Sequence, residues 1–210
     1  MTKIKICGIS RIKDIQIINQ VLPDYIGFVF AKSKRTVSLA EAVAIKKLLN
    51  PAVKTVGVFV NEDMGKITQL CSLEIIDAVQ LHGDEDGNYI TKLKMKTGLP
   101  IIKAVRVRTK QDILDAEQLP SDYLLLDSYK ENKYGGTGKA FDWSLIPPKT
   151  ERKKPVFLAG GINRDNLLNV VQTADPYCID ISSGVETDGK KDPEKIKEVI
   201  NLLRNRSSCR

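Results

Sequence analysis

Eight apolar runs separated by amphipathic segments predict an α/β fold, a single TIM barrel, (β/α)8, with eight parallel strands spanning residues 1–210. Three observations carry this prediction. The runs are short enough to be strands buried on both faces, and they recur roughly every 20 to 30 residues. No linker or low-complexity tract interrupts them, and 210 residues just exceeds the lower limit of about 200 for an eight-unit barrel. No G-x-G-x-x-G follows the first run, where Cys7-Gly8-Ile9-Ser10 stands instead, which disfavours an open doubly wound sheet.

The elements follow in order. Ile4–Cys7 leads to a helix from Arg11 to Gln20, with Ser10 as the expected N-cap. Tyr25–Phe30 precedes a helix over Leu39–Leu49, opened by Ser38 with Glu41 three residues later, a capping box. Thr55–Val60 leads to Met64–Ser72, Ala78–Leu81 to Asn88–Lys96, and Ile101–Val107 to Lys110–Gln118. Tyr123–Leu126 is the sixth strand; after it come a Gly loop, Gly135-Gly136-Thr137-Gly138, and a short turn holding Trp143. Val156–Ala159 leads to Arg164–Gln172, and Cys178–Ile181 to Pro193–Leu203, where Pro193 suits a first helical turn. Residues 204–210 read as a tail expected to fray.

Composition bounds the function. Hydrophobic content of 42% and charge of 28% are those of an ordinary globular chain. The four cysteines, Cys7, Cys71, Cys178 and Cys209, have no paired or ligand spacing, and there is one histidine. Neither a disulfide framework nor a metal site is expected, and a reducing cytoplasmic compartment is. The chain begins on a strand without an apolar signal core, and no run approaches membrane-spanning length. A net charge of +7 raises the question of nucleic acid. However, the lysines are scattered among acids without a basic stripe or interleaved aromatics, so small anions are the expected partners.

A barrel places functional residues at the C-terminal ends of its strands. Cys7, His82, Arg106, Asp127, Gly160-Gly161 and Ser182-Ser183-Gly184 stand at six of those ends. The glycines and serines after strands 7 and 8, with Gly136, Thr137 and Gly138, suit a phosphate, which needs close backbone N–H donors. In β geometry Lys5 shares a face with Cys7. If that face is the lumen, Lys5 is expected in the barrel interior, paired with Asp180 on the neighbouring strand rather than with Asp127. The alternative is a register in which it faces the helices and reaches water.

Several stretches are specific in combination: Lys5-Ile6-Cys7-Gly8-Ile9, Ser33-Lys34-Arg35, Gln80-Leu81-His82-Gly83-Asp84, Gly135–Gly138, and Asp180-Ile181-Ser182-Ser183-Gly184-Val185-Glu186. Taken together, and over nearly the whole chain, they resemble the phosphoribosylanthranilate isomerase family. The resemblance implies an Amadori rearrangement of N-(5-phospho-β-D-ribosyl)anthranilate to 1-(2-carboxyphenylamino)-1-deoxy-D-ribulose 5-phosphate in tryptophan biosynthesis. It implies no cofactor or metal, Cys7 as general base and Asp127 as general acid. Arg35 is carried over as partner of the anthranilate carboxylate, Asp180 as the acid near the ribose hydroxyls, and His82 and Arg106 as pocket wall. The residues agree with such roles. Ring opening needs a carboxyl that can donate a proton, and four apolar residues before Asp127 favour its neutral form. A thiol needs a modest pKa depression by nearby cations, which Lys5 is expected to give Cys7. A phosphorylated small molecule is the implied partner, without nucleic acid or membrane, for a monomer or homodimer. The alternatives are another phosphate-gripping barrel, indole-glycerol-phosphate synthase or a pentose-phosphate epimerase. The Cys7/Asp127 pair disfavours both, since the synthase works with lysine and glutamate and the epimerase with two acids and usually a metal.

Overall fold

The computed structural model describes residues 1–128 and 142–205. The Gly135–Gly138 loop, with Gly136, Thr137 and Gly138, and Cys209 lie outside the described residues. Eight parallel strands close into a barrel: β1 (Lys3–Cys7), β2 (Tyr25–Val29), β3 (Lys54–Phe59), β4 (Ala78–Leu81), β5 (Ile101–Val107), β6 (Tyr123–Ser128), β7 (Val156–Leu158) and β8 (Cys178–Ile181). The ring shuts between β1 and β8, where Lys5 stands opposite Asp180. Around it lie α1 (Ile15–Val21), α2 (Leu39–Leu48), α3 (Met64–Ser72), α4 (Gly87–Thr97), α5 (Lys110–Ala116), α6 (Leu167–Ala174) and α7 (Pro193–Asn205).

Side-chain alternation divides the core in two. Ile4 and Ile6 of β1, Val79 and Leu81 of β4, and Leu124 and Leu126 of β6 face outward and are buried beneath the helices. Val56, Ile102, Ala104, Leu125, Phe157 and Cys178 fill the lumen. A strand covered on both faces must be apolar on both, which is why the strands read as continuous runs rather than alternating ones.

Local chemistry sets the helix starts. Ser38 and Glu41 form the expected capping box on α2, and Thr109 and Asp112 form another on α5. The first helix departs from expectation. A 3-10 turn, Ile12–Asp14, comes first with Arg11 rather than Ser10 at its N-cap, and α1 begins only at Ile15. Arg11 is committed elsewhere: its guanidinium donates to Asp14 at 3.0 and 2.5 Å and to the Lys191 carbonyl at 2.8 Å. Between β6 and β7 the described residues hold two 3-10 turns, Trp143–Leu145 and Lys149–Glu151, and no α-helix. At the other end α7 runs through Asn205, so Arg204 and Asn205 correct the expectation of a tail from residue 204. Arg204 donates to the carbonyls of Val21 and Leu22 at 2.7 and 2.6 Å, tying the helix end to α1.

One element went unpredicted. Past β8, β9 (Glu186–Thr187) and β10 (Lys190–Lys191) pair antiparallel. Asp188 and Gly189 between them have φ of 51° and 73°, the two positive values that a two-residue type I′ turn needs.

Candidate active site at the mouth of the barrel

The barrel mouth collects the side chains that end the strands. Lys5 is fully buried, as its parity with Cys7 predicts, and its ammonium donates to Asp180 Oδ2 at 3.0 Å and to Gln80 Oε1 at 2.8 Å. Burial opposes the charge on Lys5, but Asp180 more than offsets it and the Lys5 pKa is raised. Gly27 of β2 makes the fit possible. A Cβ there would lie 2.8 Å from Cys7 Sγ and 3.3 Å from Lys5 Cε, so only glycine leaves room for both.

Cys7 corrects one expectation. Its thiol pKa is raised, because burial outweighs the downward pull of Lys5 and of Lys191, with Asp180 adding to the rise. The cations are present as predicted; desolvation, which depends on how closely the loops cover Cys7, is the larger effect. Burial also pushes Cys71 up to about 11 and Cys178 well above its ordinary range, and both read as inert packing thiols.

Asp127 lies three strands from Cys7 around the ring, on the far wall. Its Oδ1 accepts the Ser128 backbone N–H at 2.7 Å. His82 reaches toward it from β4, with Nε2 3.4 Å from Asp127 Oδ2. That separation is within ion-pair range but outside an aligned hydrogen bond, and His82 Nε2 is a buried polar atom without a hydrogen-bond partner among the described residues. Asp180 Oδ1 is another. Arg106 stands directly opposite Asp127 in the β5–β6 register, half-buried at the rim.

Gly160, with φ +88°, has a second task. A Cβ on it would meet Ser128 N at 2.8 Å and Asp127 Oδ1 at 3.0 Å, so the missing side chain seats the acid. Gly161 follows with φ +69°. Gly184 packs against the preceding loop, where a Cβ would fall 2.0 Å from the Ile162 carbonyl oxygen. Ser183 opens a 3-10 turn, Ser183–Val185, and Ser182 Oγ donates to the Cys7 carbonyl at 3.1 Å. The loops after β7 and β8 therefore touch each other and the Cys7 strand end.

Arg35 lies across Gly8, whose Cβ would meet Arg35 Cδ at 2.4 Å. Its fork is engaged: Nε donates to Glu186 Oε1 at 2.6 Å and Nη2 to Glu186 Oε2 at 2.9 Å. Lys191, almost fully buried, donates to Glu186 Oε1 at 2.8 Å and to the Ser182 carbonyl at 2.9 Å. Burial raises the Glu186 pKa, but Arg35 and Lys191 together bring it down to about 2. Sequence reasoning missed Gln80, Glu186 and Lys191 as parts of the site. Asp188-Gly189 was the available signal for the hairpin that carries the last two. Among the described residues, His, Cys, Asp and Glu nowhere gather in groups of three or more able to hold a metal ion.

An arrangement of thiol, carboxyl and cations around a mouth of small loops can move protons on a small anionic molecule. Comparison with known proteins agrees. Residues 4–202 match the family model described as N-(5'-phosphoribosyl)anthranilate (PRA) isomerase. A relative from Endomicrobium trichonymphae, an N-(5'-phosphoribosyl)anthranilate isomerase, is 47% identical, with 98% of this chain and 100% of that one covered. The crystal structure of phosphoribosyl anthranilate isomerase from Thermotoga maritima superposes with a TM-score of 0.88 at 40% identity, covering 98% of this chain and 100% of the other. Another structure of the isomerase, in complex with reduced 1-(o-carboxyphenylamino)-1-deoxyribulose 5-phosphate, gives 0.85 at 37% identity over the same shares. The chain belongs to the N-(5'-phosphoribosyl)anthranilate isomerase family.

Proposed function

We infer that the chain isomerises N-(5-phospho-β-D-ribosyl)anthranilate to 1-(2-carboxyphenylamino)-1-deoxy-D-ribulose 5-phosphate, a step of tryptophan biosynthesis, with Asp127 as general acid and Cys7 as general base. The observation that carries the roles is the opposition of Cys7 and Asp127 across a mouth whose nearby polar atoms, His82 Nε2 and Asp180 Oδ1, lack partners among the described residues. Buried atoms of that kind cost free energy unless a ligand completes them.

The Asp127 carboxyl gives its proton to the furanose ring oxygen, the ring C–O bond breaks, and the anilino nitrogen supplies the electron pair that forms the iminium. Cys7 as thiolate then takes the C2 proton, and those C–H electrons neutralise the iminium to an enolamine, which tautomerises to the ketone. Lys5 and Lys191 favour the thiolate against its burial. Asp180 Oδ1 is assigned to a ribose hydroxyl. Two of the five guanidinium N–H groups of Arg35 serve Glu186, so the Nη1 edge remains for the anthranilate carboxylate. The phosphate is assigned to Gly160, Gly161, Ser182, Ser183 and Gly184 with Gly136, Thr137 and Gly138, and Arg106 to the pocket wall.

The partner is thus a phosphorylated small molecule rather than nucleic acid, and the cytoplasm is the compartment that suits free thiols. Among the described residues no helix is long and apolar enough to cross a membrane. We assign the whole chain to one domain, as a monomer or homodimer, which sedimentation equilibrium distinguishes. The deciding experiment is steady-state turnover of freshly generated phosphoribosylanthranilate by the purified protein. Asp127→Asn and Cys7→Ala are each expected to lower kcat by about 10²-fold or more. Turnover near that of the parent in either variant removes the role assigned to that residue.

A further inference from the structure

The lumen holds a line of polar groups in which each contact fixes the next. The Lys5 ammonium is a donor only, so the Gln80 side-chain atom 2.8 Å from it must be the carbonyl oxygen. The orientation of the Gln80 amide is thereby settled by chemistry. Its NH2 end then faces His82 Nδ1 at 3.0 Å. An N–H donor there requires a lone pair on Nδ1, so the neutral imidazole carries its proton on Nε2. That nitrogen is the buried atom 3.4 Å from Asp127 Oδ2, without a partner among the described residues. A doubly protonated ring would set the Nδ1–H against the Gln80 N–H, donor against donor.

We propose that Gln80, held by Lys5, is a positioning residue that fixes His82 in its Nε2–H tautomer, so that an N–H donor awaits the carboxylate Asp127 becomes once it has given up its proton. This rests on the acid role assigned to Asp127. A donor already facing the charge that develops during the reaction needs only to close from 3.4 Å to hydrogen-bond distance, a small reorganisation. The opposite tautomer would present a lone pair to the new carboxylate and repel it. Arg106, opposite Asp127 on β5, is a cationic group on that wall but does not touch the tautomer argument. The device was hidden in Gln80-Leu81-His82: two residues apart on a strand, the side chains share a face.

The chain's one histidine makes the test direct. In 15N-labelled protein the two ring nitrogens of His82 give the only imidazole signals. The expected reading at neutral pH is a protonated Nε2 and an unprotonated Nδ1; a protonated Nδ1 overturns the proposal. Gln80→Glu keeps the acceptor for Lys5 but replaces the donor to His82 with a second acceptor. Nδ1 is then expected to become protonated, and kcat to fall about 10- to 100-fold, the worth of one hydrogen bond to a charged group, with KM within about twofold. An unchanged kcat in a variant whose ring proton has moved from Nε2 to Nδ1 overturns the proposal as well. In an Asp127→Asn background the same substitution is expected to cost nothing further, because its effect runs through Asp127. Full turnover by Asp127→Asn alone would instead sink the acid role, while the tautomer reading in the parent stands or falls by its own spectrum.

Discussion

The two ends of the barrel lumen are built on opposite terms. At the floor, Lys3 donates to the Tyr177 hydroxyl at 2.9 Å, and that hydroxyl meets the Tyr25 hydroxyl at 3.1 Å. Phe157 packs against Tyr25, Tyr123 and Tyr177 with ring centroids 5.5 to 5.6 Å apart, and Lys3 sits over two of the rings. Burial pushes the Tyr177 hydroxyl up, but its bonds to Lys3 and Tyr25 bring its pKa below the ordinary value. Each polar atom of that cluster meets another. At the mouth, two of the three buried side-chain atoms without a partner among the described residues stand beside Cys7 and Asp127, the third being Trp143 Nε1. Among the described residues, folding finishes the floor and leaves the mouth with unpaired polar atoms.

Three substitutions sharpen or break this division. The largest effect is expected from Lys5→Met, which strands Asp180 in the lumen and should cost about 3–5 kcal/mol of stability. It also removes a cation that lowers the Cys7 thiol, so thiol titration should find the Cys7 pKa higher still. A Lys5→Met protein as stable as the parent, with the same thiol titration, would mean that the ion pair supports neither fold nor base.

Next comes the clamp on Arg35. Glu186 is held down from 4.5 to about 2 when folded. Its contribution to stability is therefore complete above its unfolded pKa and is lost as pH falls from about 4.5 toward 2. Denaturant unfolding across that window should show a steeper acid loss in the parent than in Glu186→Gln, and parallel curves would remove the clamp's electrostatic role. The smallest effect is expected at the floor. Tyr177→Phe deletes the hydroxyl shared by Lys3 and Tyr25 and should cost about 1 kcal/mol, read by urea unfolding, with kcat at the parent's value. A tenfold loss of kcat there would show that the two ends are coupled.

The strands were legible because burial on both faces leaves a contiguous apolar signature, and the Lys5–Asp180 pair because parity and ring closure together fix which strands and which faces meet. Other features depend on residues far apart in the chain. Nothing near Arg35 signals that its fork is taken by Glu186, 151 positions away. The sign of the Cys7 shift depends on how deeply the loops bury it, a property of packing and not of neighbours in sequence. Ser10 looked like a cap by residue type, but the backbone there turns into a 3-10 segment and Arg11 bonds across to the hairpin instead. Gly160 reads as a phosphate-loop glycine and Gly27 lies within the second strand, whereas their hydrogen atoms stand where a methyl would displace Asp127 or Cys7.

Hydrogen bonds from Asp180 through Lys5 and Gln80 to His82 join β8, β1 and the end of β4 across the lumen, and bring His82 to 3.4 Å from Asp127 on β6. Backbone bonding alone fixes the circumference of a closed sheet but leaves its cross-section free to flatten. An internal strut between strands that are not neighbours resists that flattening. The roundness of this barrel and the alignment of its reacting groups are consequently one mechanical variable. A substitution under a distant helix that made the ring oval would shift the distance between His82 and Asp127 without touching either.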